Sequence, residues 1–305
     1  MTEVLEQFGI KNPTKITEIY RTAWNVDDIY VLKASENIKQ LDKSVKLTRL
    51  LLSEGIPVIE YIDTSDGETW VYADDKYWCL MKRISGEVFD PLNGNLKHNG
   101  IVLGKAVAEL HITLKNIEDR VEIHESDFYD EFTTWIIPEI EKNGMTFADS
   151  VLYSLHTFFE HGHKKLPRQL IHRDIHTSNL LFESDILTGY LDFDMCQKNV
   201  RIWDVVYLGC SQLVENYKDP ERLEMWREMF TGIIQGYNAL QPLSEDEMAA
   251  IPVLFLFVEV LFTAFYSKIG EMGLAKNCEE MANWLYENAT QVSGAFFKRA
   301  MKGAI

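Results

Sequence analysis

A short segment in the second half of the 305-residue chain limits the folds that the chain can adopt. His172-Arg173-Asp174 is followed by four residues and then by Asn179. Asp192 comes thirteen residues after Asn179, at the end of an apolar run that is typical of a buried strand. Phosphoryl transfer needs one carboxylate beside the attacking hydroxyl and further oxygen ligands for Mg²⁺. The spacing therefore predicts a site for phosphoryl transfer.

The first 84 residues predict a small β-sheet with one helix. Residues 39–54 place leucine and valine on one helical face, and Gly55 and Pro57 end that helix. Asp27-Asp28 and Asp74-Asp75 are typical turn residues between apolar runs. The predicted strands are residues 15–20, 22–26, 29–33, 58–62, 69–73 and 77–84.

After Gly86 the pattern becomes mainly helical. Apolar residues recur at helical spacing in segments 99–115, 126–142, 149–162, 221–237, 245–270 and 275–297. Residues 179–182 and 190–193 predict the two strands of a hairpin between these helices. We therefore expect an α+β chain with an N-terminal sheet lobe, residues 1–84, and a helical lobe, residues 85–305.

Three further features bear on the compartment. The apolar stretch 251–266 contains Pro252 and Glu259 and is shorter than the roughly 20 residues of a membrane span, so we expect a buried helix. The first dozen residues lack the apolar core of a signal peptide. The four cysteines have no C-x-x-C spacing and predict reduced, mostly buried thiols. We expect a cytoplasmic protein that does not bind a membrane.

The chain is strongly acidic, with a formal net charge of −17. This argues against nucleic acid as a partner, because phosphate binding needs clustered lysine and arginine. Residues 1–84 hold 11 basic and 14 acidic side chains, whereas residues 85–305 hold 19 and 33. The densest region, residues 117–141, has nine acidic residues and a single arginine, and we name it the acidic tract.

The motif segment resembles the aminoglycoside phosphotransferase family of the protein-kinase-like superfamily, which includes kinases of choline and homoserine. That family has a catalytic loop of the form H-G-D-x-x-x-x-N and a following strand that ends in Ile/Leu-Asp-Phe/Trp; here these are His172 to Asn179 and Leu191-Asp192-Phe193. Residues 102–111 and 201–204 resemble the family's helix ending in Leu-His and its downstream acidic position. The resemblance implies a bilobal protein-kinase-like fold whose small antiparallel lobe binds the nucleotide.

The resemblance also implies roles for single residues. Asp174 is expected to be the catalytic base, Asn179 and Asp192 the Mg²⁺ ligands, and His172 and Asp204 supports of the loop. Lys33 is expected to contact the α- and β-phosphates of ATP or GTP. The expected contacts of the base of the nucleotide are with the backbone of the hinge, at Met81, Lys82 and Ile84.

Three positions depart from the family pattern. Tyr20 to Asn25, where a phosphate-binding loop is expected, contain no glycine. No glutamate stands at the helix position that should pair with Lys33, so Asp42 and Glu36 are candidates. Asp194 replaces the glycine of D-F-G and is expected either to face solvent or to add charge near the metal.

The sequence favours a small-molecule kinase over a protein kinase. Only eleven residues separate Asp192 from Asp204, and there is no A-P-E motif, so an activation segment does not fit. The acidic tract predicts a cationic acceptor such as an aminoglycoside or amino alcohol, or else only a solvated helix face. A nucleotide-binding scaffold that has lost catalysis is the alternative function. Aromatic residues that could stack on an acceptor, or simply fill the core, are Trp135, Trp203, Tyr207, Trp226 and Tyr266.

Overall fold

The computed structural model describes residues 1–123, 125–214, 216–289 and 292. They form two compact units. The first, the sheet unit, consists of Met1–Phe89, Asn116–Ile123 and Ser178–Met195. The second, the helical unit, consists of the described residues of Asp90–Lys115, His124–Thr177 and Cys196–Ile305.

The sheet unit contains a six-stranded antiparallel sheet within its described residues. The turns at Asp27-Asp28 and Asp74-Asp75 have positive φ at both residues, which is the backbone of tight hairpin turns. The spatial order is β1 (Ile16–Tyr20), β2 (Ala23–Val26), β3 (Tyr30–Ser35), β6 (Lys76–Lys82) and β4 (Tyr61–Ile62), with β5 (Val71–Ala73) also paired to β6.

Both faces of this sheet are covered by apolar side chains. On one face, α1 (Thr2–Gln7) contributes Val4 and Leu5 to a cluster with Leu32 and Trp78. In a second cluster, α2 (Ile38–Ser53) packs Leu41 and Val45 against Tyr61, Cys79 and Met81. Asn37 caps α2 by accepting from the backbone N–H of Gln40.

A separate hairpin in the sheet unit consists of β8 (Leu180–Glu183) and β9 (Ile186–Tyr190). The second strand was predicted at residues 190–193, which is wrong because β9 ends at Tyr190. Asp192 has a φ of +57°, a left-handed conformation that a strand cannot contain. The chain then forms a 3₁₀ turn at Phe193–Met195.

The helical unit is built from long helices and one short strand pair. β7 (Arg168–Ile171) and β10 (Gln197–Val200) pair antiparallel and frame the catalytic-loop segment. The helices are α3 (Leu96–Ile117), α4 (Phe128–Glu131), α5 (Ile137–Lys142), α6 (Asp149–Thr157), α7 (Ile202–Leu213), α8 (Pro220–Leu240), α9 (Glu245–Lys268) and α10 (Met272–Glu287). Residues 290–291 and 293–297 of the predicted last helix lie outside the described residues.

Helix α9 is the segment that could be mistaken for a membrane span. Among the described helices it is the one long and apolar enough to cross a bilayer, yet 67% of its apolar window is buried within the protein. It contacts α7 and α10 extensively and carries Phe255 and Phe257, both almost fully buried. Its burial therefore identifies it as a core helix, as expected for residues 251–266, although the helix is longer than that stretch.

Helices α3 and α8 approach each other at the distance of backbone contact. Each has two glycines four residues apart, at Gly100 and Gly104 and at Gly232 and Gly236. A Cβ added at Gly104 would lie 2.0 Å from the carbonyl oxygen of Ile233, and similar clashes occur at the other three positions. The absence of side chains at these four positions permits the close crossing.

Candidate active site

The sheet unit holds the side chains predicted to contact the nucleotide. Lys33 lies on β3, and its Nζ is 2.9 Å from Asp194 Oδ2 and 3.4 Å from Asp192 Oδ1. Burial opposes charge on this amine, but Asp194 and Asp192 outweigh burial and raise the pKa of Lys33. Lys33 therefore carries its positive charge at neutral pH.

The structure gives Lys33 different partners from the two candidates named above. Asp42 pairs with Lys46 one helical turn away, and Lys33 pairs with two carboxylates that follow it by about 160 residues in sequence. The side chain of Gln40 on α2 donates to the backbone oxygen of Asp194, 3.4 Å away. The segment after the hairpin thus supplies the counter-charge that a helix glutamate was expected to supply.

Asn179 and Asp192 also lie in the sheet unit, on either side of the β8–β9 hairpin. The backbone N–H of Leu191 donates to the backbone oxygen of Asn179 at 2.9 Å, so the two positions are joined at the base of the hairpin. Asn179 is buried, whereas the Asp192 side chain is 46% exposed. An amide oxygen and carboxylate oxygens are the hard donors that suit Mg²⁺.

The predicted hinge, residues 81–84, begins within β6 and ends two residues after it. Met81 is buried and Lys82 forms an ion pair with Glu60 at 2.7 Å. The backbone N–H groups of Lys82 and Arg83 donate to the backbone oxygens of Glu60 and Ile29. Ile84 packs so closely on Gly189 that a Cβ at position 189 would lie 2.8 Å from the isoleucine side chain.

The helical unit holds residues 172–177 of the predicted catalytic loop, and Asp204 on α7 accepts hydrogen bonds from its backbone. This carboxylate is fully buried and accepts from the backbone N–H groups of His172 and Arg173, each at 2.8 Å. His111 on α3 bonds the same carboxylate through Nε2 at 2.9 Å and bonds Tyr237 on α8 through Nδ1 at 2.9 Å. The loop before Asp174 is thereby tied to three helices.

Three residues of α7 contact the residues on either side of the His172–Asp174 peptide bonds or Asp174 itself. Trp203, Asp204 and Tyr207 are spaced at one and four residues, which places them on the same helical face. The indole N–H of Trp203 donates to the backbone oxygen of Arg173 at 2.9 Å. The hydroxyl of Tyr207 donates to Asp174 Oδ1 at 3.0 Å.

Arg173, immediately before Asp174, has a φ of +71°, which is rare for a residue with a side chain. Its guanidinium bonds Glu131 at 2.5 Å and Gln197 at 2.5 Å, and it lies 5.7 Å from the centre of the Phe128 ring. Both members of the Arg173–Glu131 ion pair are about 15% exposed. These side-chain contacts hold the left-handed backbone in place.

Sequence reasoning did not identify Tyr207, Glu131 or Gln197 as neighbours of the loop. Tyr207 was considered only as a ring for stacking or core packing. The available signal was the spacing of Trp203, Asp204 and Tyr207, which becomes informative only when residues 202–213 are recognised as a helix.

Several acidic residues of the acidic tract form ion pairs within the helical unit. Arg168 lies near Glu125 and Asp127, Arg173 pairs with Glu131, and Lys142 pairs with Glu139. The pairs of Arg168 and Lys142 are partly exposed and contribute little to stability, whereas the Arg173–Glu131 pair is mostly buried. The pairs nevertheless reduce the net negative potential that the tract can present.

Comparison with known proteins identifies the family of the chain. Residues 20–243 match the phosphotransferase enzyme family, APH. The chain is 26% identical over 230 residues to a homoserine kinase of Zymomonas mobilis, covering 74% of this chain and 69% of that protein.

Two solved structures show the same fold. A microcompartment-associated aminopropanol kinase has a TM-score of 0.68 at 16% identity, with 94% of this chain and 97% of that chain covered. An amicoumacin kinase in complex with AMP-PNP has a TM-score of 0.64 at 16% identity, with 88% and 89% covered. The α+β protein-kinase-like fold is therefore confirmed, with an N-terminal antiparallel sheet and a mainly helical remainder. The chain belongs to the phosphotransferase enzyme family and is a small-molecule kinase that uses a nucleotide and an alcohol acceptor.

Proposed function

We propose that this kinase transfers the γ-phosphoryl group of ATP to the hydroxyl of a small amino alcohol. The observation that carries the proposal is the fixed position of Asp174, on a loop braced by Asp204 and bonded to Tyr207. Asp174 would accept the proton of the acceptor hydroxyl as its oxygen attacks the γ-phosphorus. The bond from that phosphorus to the β–γ bridging oxygen breaks, and ADP leaves.

Lys33 would contact the phosphates of the nucleotide. Its raised pKa keeps it charged. Its present partners, Asp192 and Asp194, are carboxylates that would also attract a bound cation. Donors for the base of the nucleotide would come from beyond Arg83, because Lys82 and Arg83 use their N–H groups within the protein. GTP remains an alternative co-substrate for this hinge.

The donor set fits Mg²⁺. Within the described residues, no cluster of three or more His, Cys, Asp or Glu could hold a metal by itself. Asn179 and Asp192, with Asp194 near Lys33, supply a few hard oxygens, and Mg²⁺ normally completes its six ligands with phosphate and water. Mg²⁺ bound there would neutralise charge on the nucleotide phosphates.

An amine-bearing acceptor is supported by two observations. The relative acts on homoserine and a structural neighbour on aminopropanol, judged by their names, and both compounds join an amine to a hydroxyl. Beside Asp174 the helical unit has an aromatic surface, in which Tyr207 stacks on Phe262 at 5.7 Å and Phe262 contacts Tyr266 at 5.7 Å. Aromatic faces attract ammonium groups.

We also propose that the protein works in the cytoplasm and binds neither nucleic acid nor membrane. Its four cysteines are buried and form no disulfide within the described residues, which suits a reducing compartment. Its charge of −17 disfavours polyanionic partners.

An assay of ADP or GDP release would test the proposal. The acceptor panel would contain homoserine, 3-amino-1-propanol, kanamycin and the neutral diols of matching length, each with ATP or GTP and Mg²⁺. We expect ATP turnover with at least one amino alcohol, and a loss of at least a thousandfold in kcat for Asp174→Asn and Asp192→Asn.

The matched control is Asp66→Asn, which removes an exposed carboxylate from a loop of the sheet unit and should leave kcat unchanged. Turnover by Asp174→Asn at the wild-type rate would overturn the role of Asp174. Equal turnover of amino alcohols and neutral diols would overturn the choice of acceptor class.

A further inference from the structure

Tyr207 occupies a position from which it can control the carboxylate of Asp174. Its hydroxyl is 3.0 Å from Asp174 Oδ1, within the range of a hydrogen bond to a carboxylate. His176 Nε2 lies 3.9 Å from Asp174 Oδ2, on the other oxygen. The two oxygens of the proposed base therefore have different neighbours.

The ring of Tyr207 packs nearly parallel to two other rings. Trp203 lies 5.8 Å away with an interplanar angle of 9°, and Phe262 lies 5.7 Å away with an angle of 6°. A ring packed against both neighbours cannot swing far without displacing side chains of α7 or α9. The phenol oxygen is thus fixed relative to the helix that also braces the loop through Asp204.

The phenol is a permanent donor. Burial and the neighbouring Asp174 carboxylate raise the pKa of Tyr207 far above its ordinary value. The hydroxyl keeps its proton at any physiological pH, and a carboxylate can only accept it. The bond consequently has one direction, from Tyr207 to Asp174.

We propose that Tyr207 is a positioning residue for phosphoryl transfer, which sets the rotation of the Asp174 carboxylate. A carboxylate that could rotate would present its proton-accepting oxygen to the acceptor for only part of the time. Because Tyr207 holds Oδ1, the carboxylate is already ordered before the substrate binds. The inference rests on the proposed function, since it requires Asp174 to be the base.

The competing explanation is that Tyr207 only fills the core. It predicts that removing the hydroxyl changes little, because the ring would keep its stacking in Tyr207→Phe. Phe262→Leu provides the complementary variant, since it disturbs the same stack at a residue with no bond to Asp174.

The test measures kcat and KM for 3-amino-1-propanol or homoserine, and for ATP, in both variants. We expect Tyr207→Phe to lower kcat by about ten- to a hundredfold with KM values changed less than about twofold, and to leave Tm nearly unchanged. Phe262→Leu also removes part of the proposed ammonium-binding surface, so it should raise KM for the acceptor and lower Tm more than Tyr207→Phe does, while lowering kcat less. A wild-type kcat in Tyr207→Phe, or a loss of kcat that both variants share in proportion to Tm, would overturn the inference.

A double-mutant cycle separates this inference from the proposed function. If Tyr207 acts through Asp174, Tyr207→Phe should have no further effect on the residual rate of Asp174→Asn. Additive losses would show that Tyr207 acts by another route. Wild-type activity of Asp174→Asn itself would instead remove the proposed function.

Discussion

Two non-glycine residues at or beside the proposed chemical groups have a left-handed backbone. Arg173 has a φ of +71° and Asp192 a φ of +57°, and each lies at a position that the proposed chemistry uses or adjoins. Such conformations cost on the order of 1–3 kcal/mol and persist where surrounding contacts over-determine them. For Arg173 those contacts are Glu131, Gln197 and the Asp204 carboxylate.

A buried carboxyl group on α9 gives a prediction about how stability depends on pH. Glu259 on α9 is fully buried and lies 3.1 Å from the Cys210 thiol. Burial, only partly offset by hydrogen bonds from Cys210 and Cys278, raises the pKa of Glu259 to about 7. Between the unfolded value of 4.5 and this folded value, the unfolded chain loses a proton that the folded chain keeps.

The free energy of unfolding should therefore fall as the pH rises from about 4.5 to 7, by up to about 3 kcal/mol from this group. Glu259→Gln cannot ionise, so it should lose less stability than the wild type between pH 5 and pH 8. The measurement is urea unfolding at both pH values, with Glu228→Gln on the exposed face of α8 as control. A parallel fall in the wild type and Glu259→Gln would contradict the expectation.

At the residue scale, sequence predicted the identity of chemical groups better than their partners. Asp174, Asn179 and Asp192 can be proposed from spacing alone, since loop and hairpin geometry is local. The partners of Lys33 lie 159 and 161 residues away, and no local pattern indicates such a pairing. The expectation of a helix partner for Lys33 failed for this reason.

At the scale of elements, the sequence predicted most helices and strands but did not predict α7. It is a mostly apolar segment of twelve residues, nine of which are buried. Periodicity alone does not distinguish a short buried helix from a buried strand, so the sequence assigns the segment to neither. The element that carries Asp204 and Tyr207 was therefore not predicted, and neither were α1, β7 and β10.

The α3–α8 crossing gives a prediction about an element. Gly236→Ala would place a Cβ 2.2 Å from the backbone oxygen of Ile101, and backbone cannot move aside as a side chain can. We expect a loss of about 2–3 kcal/mol in the free energy of unfolding. Tyr237 lies on α8 and bonds His111 on α3. A displaced helix would disturb this bond behind the loop, so kcat should fall as well.

Gly273→Ala on α10 is the matched control. A Cβ there meets no atom within 4 Å, so the same substitution should be neutral or stabilise by up to about 1 kcal/mol. Chemical denaturation of both variants measures the difference. Equal stability of the two variants would show that the helices are not in backbone contact.

At the scale of the whole molecule, the net charge of −17 favours a cationic substrate only if it attracts that substrate over a distance. The ion pairs of the acidic tract weaken that field, so the aromatic surface beside Asp174 is the stronger support for an ammonium. The remaining long-range attraction would be screened by salt, whose Debye length is about 10 Å at 0.1 M.

Salt dependence measures this attraction. Raising NaCl from 0.05 to 0.3 M should lower kcat/KM for 3-amino-1-propanol by several-fold, relative to 1,3-propanediol assayed with the same ATP. The ratio cancels any effect of salt on the nucleotide. An unchanged ratio would restrict recognition of the amine to direct contacts and would leave the acidic tract as a solvated helix face.

The hydrogen bonds between α7 and the loop have a consequence for protein engineering. The loop of His172 to Asp174 is braced by Trp203, Asp204 and Tyr207, about thirty residues downstream, and through Asp204 by His111. A chimera that received only the loop from this protein would carry its sequence but would not adopt its conformation. The transferable module is the loop together with one face of α7, His111, and the Glu131 and Gln197 side chains that bond Arg173.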